Sequence, residues 1–210
     1  MRVISYIDGF NLYHAIDDLG RHDLKWLNLW QLCLMFAPRP DHELVAVNYF
    51  SAFATWRPEA FARHRAFVKA LETVGVSAIL GRFKEKDRHC NSCKHVWKDH
   101  EEKETDVNIG IRLVHDAYED RFDRALLLTG DSDLTPAVRM IKARFPHKDI
   151  RVIAPIGRLF SMELVAAAGP TSDARKLRLV HLEKSLFPAE VRDADGNIVV
   201  TRPDKYEPSK

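Results

Sequence analysis

The chain reads as an α/β fold, a three-layer α/β/α sandwich around a central and mainly parallel sheet. Two observations predict it. Short β-branched apolar runs alternate along the chain with segments of helical period, the pattern of strand–helix–strand units. Aspartates follow directly on two of those runs, Asp8 after VISYI and Asp131 after ALLLTG, where open parallel sheets place their ligand crevice.

Residues 3–7 read as the first strand and 28–36 as a helix. Residues 44–53 make a second strand, and 58–73 a helix with Phe61, Phe67, Val68 and Leu71 as core contacts. Residues 76–83 form a third strand. After a polar stretch bearing cysteine and histidine, Val107, Ile111, Val114 and Tyr118 recur at helical spacing, which sets a long helix after Asp106. Residues 124–128 are a fourth strand. Residues 134–145 suit a helix capped by Asp133, with Pro136 tolerated in its first turn. Residues 150–153 make a fifth strand, 158–168 a short helix and 177–182 a short edge strand. Beyond Ser185, Asp195-Gly196 between two β-prone pieces signals a hairpin, followed by a Pro- and Lys-bearing tail. The expected organisation is one domain over 1–184, with an insertion at 85–102, and a C-terminal hairpin and tail over 185–210.

With 210 residues and 24.1 kDa, the chain is long enough to bury one substantial core. Its hydrophobic fraction of 46% and charged fraction of 30% are those of a globular protein that does not live in a bilayer. No apolar run approaches the roughly 18–20 residues that span a membrane. The first residues, MRVISYIDGFN, lack the apolar core and cleavage site of a secretory signal, so the cytoplasm is the expected compartment.

A formal net charge of +2 neither demands nor excludes a polyanionic partner, and distribution matters more. Cationic residues cluster at 57–70, 81–89 and 173–181. Each cluster either tracks a phosphate backbone or is a solvated face. Cys33 sits in an apolar stretch and reads as a small core residue.

Four acids stand at the ends of predicted elements: Asp8 in YIDGFN, Asp106 in KETDVN, and Asp131 and Asp133 in LLLTGDSD. An aspartate at a helix start is often only a cap, and Asp8-Gly9 alone is often only a turn. Four such acids, two of them beside Gly9 and Gly130, instead suggest one pocket. Carboxylates gathered there repel unless a hard cation such as Mg²⁺ or Mn²⁺ neutralises them, which points to a metal-dependent phosphodiester-cleaving site.

The motifs YIDGFNLY, EEKETDVNI and TGDSDLTP, in this order and spacing, resemble the NYN domain family, the LabA-like members of the PIN-like nuclease superfamily. The likeness covers roughly residues 1–182. It implies a PIN-like α/β/α sandwich and a Mg²⁺- or Mn²⁺-dependent ribonuclease, with RNA as partner. By motif, Asp8, Asp106, Asp131 and Asp133 take the places of the family's acidic cluster, Asn11 of its asparagine and Ser132 of its small polar residue. Asp8, Asp106 and Asp131 would then hold the metal, with Asp133 completing the set. Asn11 would orient a carboxylate or touch phosphate, and Thr129 and Ser132 would donate hydrogen bonds. Lys103 either neutralises a phosphate oxygen or is a surface lysine in its EEKE run.

In the insertion, Cys90 and Cys93 with His95 and His100 are ligands of the kind Zn²⁺ takes. The single residue between Cys93 and His95 makes a tight four-ligand cage awkward. An exposed finger without metal, and zinc shared between two subunits, are the alternatives. Trp97 is either a base-stacking ring for single-stranded RNA or part of the finger's own packing.

Two rivals follow. A phosphatase working through an aspartyl-phosphate needs a second aspartate two residues after its nucleophile, and Phe10 occupies that place after Asp8. A non-catalytic RNA-binding or regulatory module would keep the fold without the reaction. No GxxxxGK[ST] phosphate loop is present. The C-terminal hairpin offers a pairing surface for a second subunit, so a homodimer is one expectation.

Overall fold

The computed structural model describes residues 1–38, 40–170 and 173–208; Ser209 and Lys210 of the expected tail lie outside them. Six strands form one sheet, all neighbours parallel, in the order β3-β2-β1-β6-β7-β8. These are β1 (Arg2–Asp8), β2 (Glu43–Ser51), β3 (Val76–Leu80), β6 (Arg124–Leu128), β7 (Asp149–Ala154) and β8 (Arg175–Lys176). The chain builds outward from β1 to β3, then crosses back and builds the other way from β6. Strand order therefore reverses between β1 and β6, the point at which an open parallel sheet leaves a crevice beyond its carboxyl edge.

Helices cover both faces. Alternation along β1 sends Val3 and Ile7 into one core and Ile4 and Tyr6 into the other. The first core is closed by α1 (Gly9–Asp17), α2 (Leu29–Leu34) and α3 (Pro58–Thr73), through Leu12, Ile16, Leu32, Val68 and Leu71. The second is closed by α4 (Thr105–Tyr118), α5 (Thr135–Arg144) and α6 (Met162–Ala168), through Ile109, Leu113, Val138, Ile141 and Leu164. The expected three-layer sandwich is thus present. Cys33 is buried and donates to Ser5 Oγ at 3.1 Å, and burial pushes its thiol up to about 12, as a core cysteine requires.

Several elements differ from expectation. The third strand ends at Leu80; after Gly81 the chain enters a separate antiparallel hairpin, β4 (Arg82–His89) and β5 (Val96–Lys103). Its strands are polar and largely exposed, and they are tied by cross-strand ion pairs, Lys98–Glu85 at 2.6 Å and Arg88–Asp99 at 3.1 Å. On α4, Val107, Ile111 and Tyr118 face outward and Ile109, Leu113 and Ala117 face in. Of the apolar stripe that located the helix, Val114 alone packs on the second core, and the rest is solvent face. The helix expected over 158–168 begins at Met162, where the Ser161 side chain accepts from Leu164 N–H. The edge strand expected at 177–182 is instead β8 two residues earlier, followed by α7 (Leu179–Glu183), which buries Leu182. Short apolar runs carry no period that separates helix from strand.

The C-terminal hairpin, β9 (Glu190–Arg192) and β10 (Ile198–Thr201), does form. It packs onto the sandwich. Phe187, Val191 and Tyr206 belong to the first core, and Trp26 Nε1 donates to the Pro188 carbonyl at 2.8 Å. Phe187→Ala should therefore lower stability by about 3 kcal/mol, read as a fall in the urea midpoint of unfolding.

Candidate metal centre at the sheet's reversal point

Asp8 ends β1 and caps α1. Its carboxylate is 2% exposed and accepts from Asn11 N–H (3.0 Å), Asn11 Nδ2 (2.5 Å) and Thr129 Oγ1 (3.0 Å). Gly9 follows because nothing larger fits. A Cβ there would lie 2.6 Å from the Phe50 carbonyl and 2.6 Å from the Tyr49 ring. Glycine serves close approach between neighbouring strands at this point.

Asn11 joins the two loops that flank the reversal. Its Nδ2 donates to Asp8 at the end of β1, and its Oδ1 accepts from Gly130 N–H at 3.0 Å, just past β6. Thr129 repeats the link. Its hydroxyl donates to Asp8 and accepts from Asp131 N–H at 3.1 Å. Asp131 Oδ1 in turn accepts from Asp133 N–H at 3.0 Å, which folds the GDSD turn back on itself. Asp133 is therefore not the cap of α5; Leu134 holds that place without a side-chain cap bond.

Asp106 arrives from the other direction, in the first turn of α4. Glu104 precedes that helix in the left-handed region, φ 82°. The Glu102 side chain accepts from Thr105 N–H at 3.0 Å and fixes the entry angle. One carboxylate oxygen from each of Asp106, Asp131 and Asp133 then lies within 4.8 Å of the others. This is the only such group of metal-capable side chains among the described residues. All the donors are carboxylate oxygens, the set preferred by hard divalent cations such as Mg²⁺ and Mn²⁺.

The electrostatics agree. Burial, then the charges of Asp8, Asp131, Glu102 and Asp133, push the Asp106 carboxyl up to about 6. Burial also raises Asp8, with its hydrogen bonds from Asn11 and Thr129 opposing the shift. Asp8 is not one of the three grouped acids but lines the same cleft as Asp106 and Asp131, and its carboxylate accepts the Asn11 and Thr129 bonds. Its geometry is that of a residue that positions the Asp131 loop.

A cleft of about 580 Å³ opens from this edge. Asp8, Asp106 and Asp131 line it. So do aromatic rings and cations, among them Phe10, Trp56, Phe83, Arg57, Arg63 and Lys25. Trp56 stacks flat on His100, with centroids 3.7 Å apart and planes 9° from parallel, and meets Phe83 edge-on at 4.6 Å. Burial lowers His64, deeper in the cleft, to about 4, so it stays neutral.

Not every expected site residue is here. Lys103 pairs with Glu101 at 2.8 Å and is not among the cleft's lining residues. Trp97 lies out along the hairpin, stacked on His95. Ser132 is exposed, and its carbonyl accepts from Thr135 N–H. His100 packs on Trp56 at the hairpin's stem, opposite Glu85 in register, far from the turn that holds Cys90 and Cys93. The four-ligand zinc set within one chain is thus not assembled. Trp56 was missed by sequence reasoning, although it follows the carboxyl end of β2, the placement that singled out Asp8 and Asp131.

Residues 2–172 match the NYN domain family. The chain belongs to that family. Two relatives place it further. "6-Hydroxy-3-succinoylpyridine 3-monooxygenase HspA" of Pseudomonas putida is 26% identical over 187 residues, covering 72% of this chain and 58% of that protein. The chain thus spans just over half of that relative's length. "Low amplitude and bright protein LabA" of Synechococcus elongatus is 24% identical, covering 84% of this NYN protein and 86% of LabA. Among solved structures, a protein of unknown function from Vibrio parahaemolyticus shares the fold. Its TM-score is 0.54 at 21% identity, covering 89% of this chain and 96% of that one.

Two outcomes follow for the NYN site. Asn11→Leu strands Gly130 N–H and the Asp8 carboxylate and should cost about 2–3 kcal/mol in chemical denaturation. Asp106 binds its proton more tightly when folded (about 6) than when unfolded (3.8). The penalty of its charge is therefore complete above pH 6 and gone below about 4. Asp106→Asn should raise the stability of chelator-treated protein at pH 7.5 by about 1–2 kcal/mol. The gain should fade toward pH 4, and saturating Mn²⁺ should reverse it at pH 7.5 in thermal melts.

Proposed function

We propose that this NYN protein hydrolyses RNA phosphodiester bonds at the Asp106–Asp131–Asp133 cluster with Mg²⁺ or Mn²⁺. The observation that carries the reading is the convergence of three carboxylates from two distant segments at the sheet's reversal point. The family's relation to PIN-like nucleases supports the same reaction class. A divalent ion in such a site supplies charge neutralisation at the phosphate and acidifies a coordinated water.

The chain's own residues have separable tasks. Asp106, Asp131 and Asp133 supply the ligand oxygens. Asp8, through Thr129 and Asn11, holds the loop that carries Asp131. Arg57 and Arg63, along the cleft, suit a sugar–phosphate backbone, whereas Lys25 is buried against Asp17. Trp56, 36% exposed and backed by His100, offers an aromatic platform of the kind on which single-stranded bases stack.

The relative named as a monooxygenase sets the main enzymatic rival, oxidation of a hydroxypyridine. An all-carboxylate cluster suits a hard, redox-inactive ion better than the two-histidine, one-carboxylate set of iron oxygenases. Purified protein should be incubated with labelled single-stranded RNA, structured RNA or DNA, in Mn²⁺, Mg²⁺ or EDTA, and in parallel with a hydroxypyridine and NADH. RNA cleavage that needs the metal and falls to background in Asp131→Asn is the expected result. Metal-independent binding, equal in wild type and Asp131→Asn and without cleavage, would instead establish a binding module; pyridine turnover would establish the rival. Trp56→Ala should weaken single-stranded RNA binding about tenfold or more, measured by fluorescence anisotropy in Ca²⁺, with melting temperature little changed.

A further inference from the structure

The tip of the β4–β5 hairpin takes no part in the acidic site. Its turn is closed by Cys90 N–H donating to the His95 carbonyl (2.9 Å) and Lys94 N–H to the Cys90 carbonyl (3.0 Å), with Lys94 left-handed at φ 58°. Inside this turn the neighbouring Cys93, through its amide and its thiol, and the Ser92 amide hold the Cys90 thiol below its ordinary value. The two sulfurs are therefore neighbours, and amide donors already face one of them, as around a metal-bound thiolate. Both cysteines are free, and Cys93 is exposed.

Two sulfurs are half of a tetrahedral site. Nearby side chains do not supply the rest. His95 lies nearly parallel to Trp97, 13° between planes, and His100 is held at the stem. Among the described residues no third cysteine, histidine or carboxylate joins the pair within ligand distance. Phe83 and His100 anchor the hairpin to Trp56 at its stem, not at its tip. Two-stranded ribbons are marginal alone, and Val96 (51% exposed) and Trp97 (44%) leave apolar surface uncovered beside the tip.

We propose that Cys90 and Cys93 form half of a tetrahedral zinc site, completed by the same two cysteines of a second copy of this chain. Such a contact is isologous, the kind that closes a two-fold dimer. A Zn²⁺ bound by four thiolates carries a net charge of −2. Lys94 from each copy lies beside it with the opposite sign, and Val96 and Trp97 supply apolar surface to bury around it. Binding releases one proton from each thiol and changes no oxidation state.

The test uses untagged full-length protein purified under reducing conditions without chelator, and needs no activity assay. Expected are one zinc per two chains by elemental analysis and twice the 24.1 kDa chain mass by light scattering. Cobalt substitution should give the sulfur-to-metal charge-transfer bands of a thiolate site. Cys90→Ser and Cys93→Ser should each abolish zinc retention and return a monomer with unchanged circular dichroism and unchanged Mn²⁺ affinity at the acidic cluster. A zinc-free monomer, one zinc per monomeric chain, or a dimer that survives in both serine variants would overturn the proposal.

Discussion

Like charges forced together at one edge of the sheet are what the rest of this molecule is arranged around. Parallel strands all end on the same side, so any acid following a strand is delivered to that edge. The change of direction between β1 and β6 leaves room there for a ligand. Asp131 and Asp133 come from the turn after β6, and Asp106 comes from the start of α4. Their crowding is visible in the proton affinity of Asp106, which only burial and neighbouring negative charge raise. Two large hydrophobic cores lie beneath this edge.

Asp8 shows how an acid of the motif is tied into the scaffold of the site. Its oxygens accept from Asn11 and Thr129, each of which also binds within the loop after β6. The first strand thus contributes rigidity to the site through hydrogen bonds, and the fourth acid of the constellation acts on the other three by fixing where Asp131 can stand.

Much of this was legible. The buried strands β1, β6 and β7 are apolar on both faces, so they stand out as continuous runs, and the acids after them announce the edge to which they lead. What escaped did so for physical reasons. Helix α1 starts at Gly9 and depends on the Asp8 cap, so its opening reads as a turn. The β4–β5 hairpin has almost no apolar alternation because cross-strand ion pairs replace a buried face. In α4 the outward residues Val107, Ile111 and Tyr118 are as apolar as the inward ones, and periodicity alone does not say which side meets the sheet. Lys103 and Trp97 were drawn toward the site by sequence distance to Asp106. Lys103 pairs with Glu101 while its neighbour Glu102 lines the cleft, and Trp97 lies out along the ribbon; Trp56, remote in sequence, lines the cleft instead.

Position 9 carries a consequence beyond local packing. There the backbone passes so near Phe50 and Tyr49 that a methyl group has nowhere to go. Any side chain would have to lever α1 off the sheet, taking Asn11 and the Asp8 carboxylate with it. A lesion at this glycine would look, to an assay of turnover alone, like the loss of a reacting group. The atom at fault would in truth be a carbon that the sheet cannot house, beside the site but with no part in its chemistry.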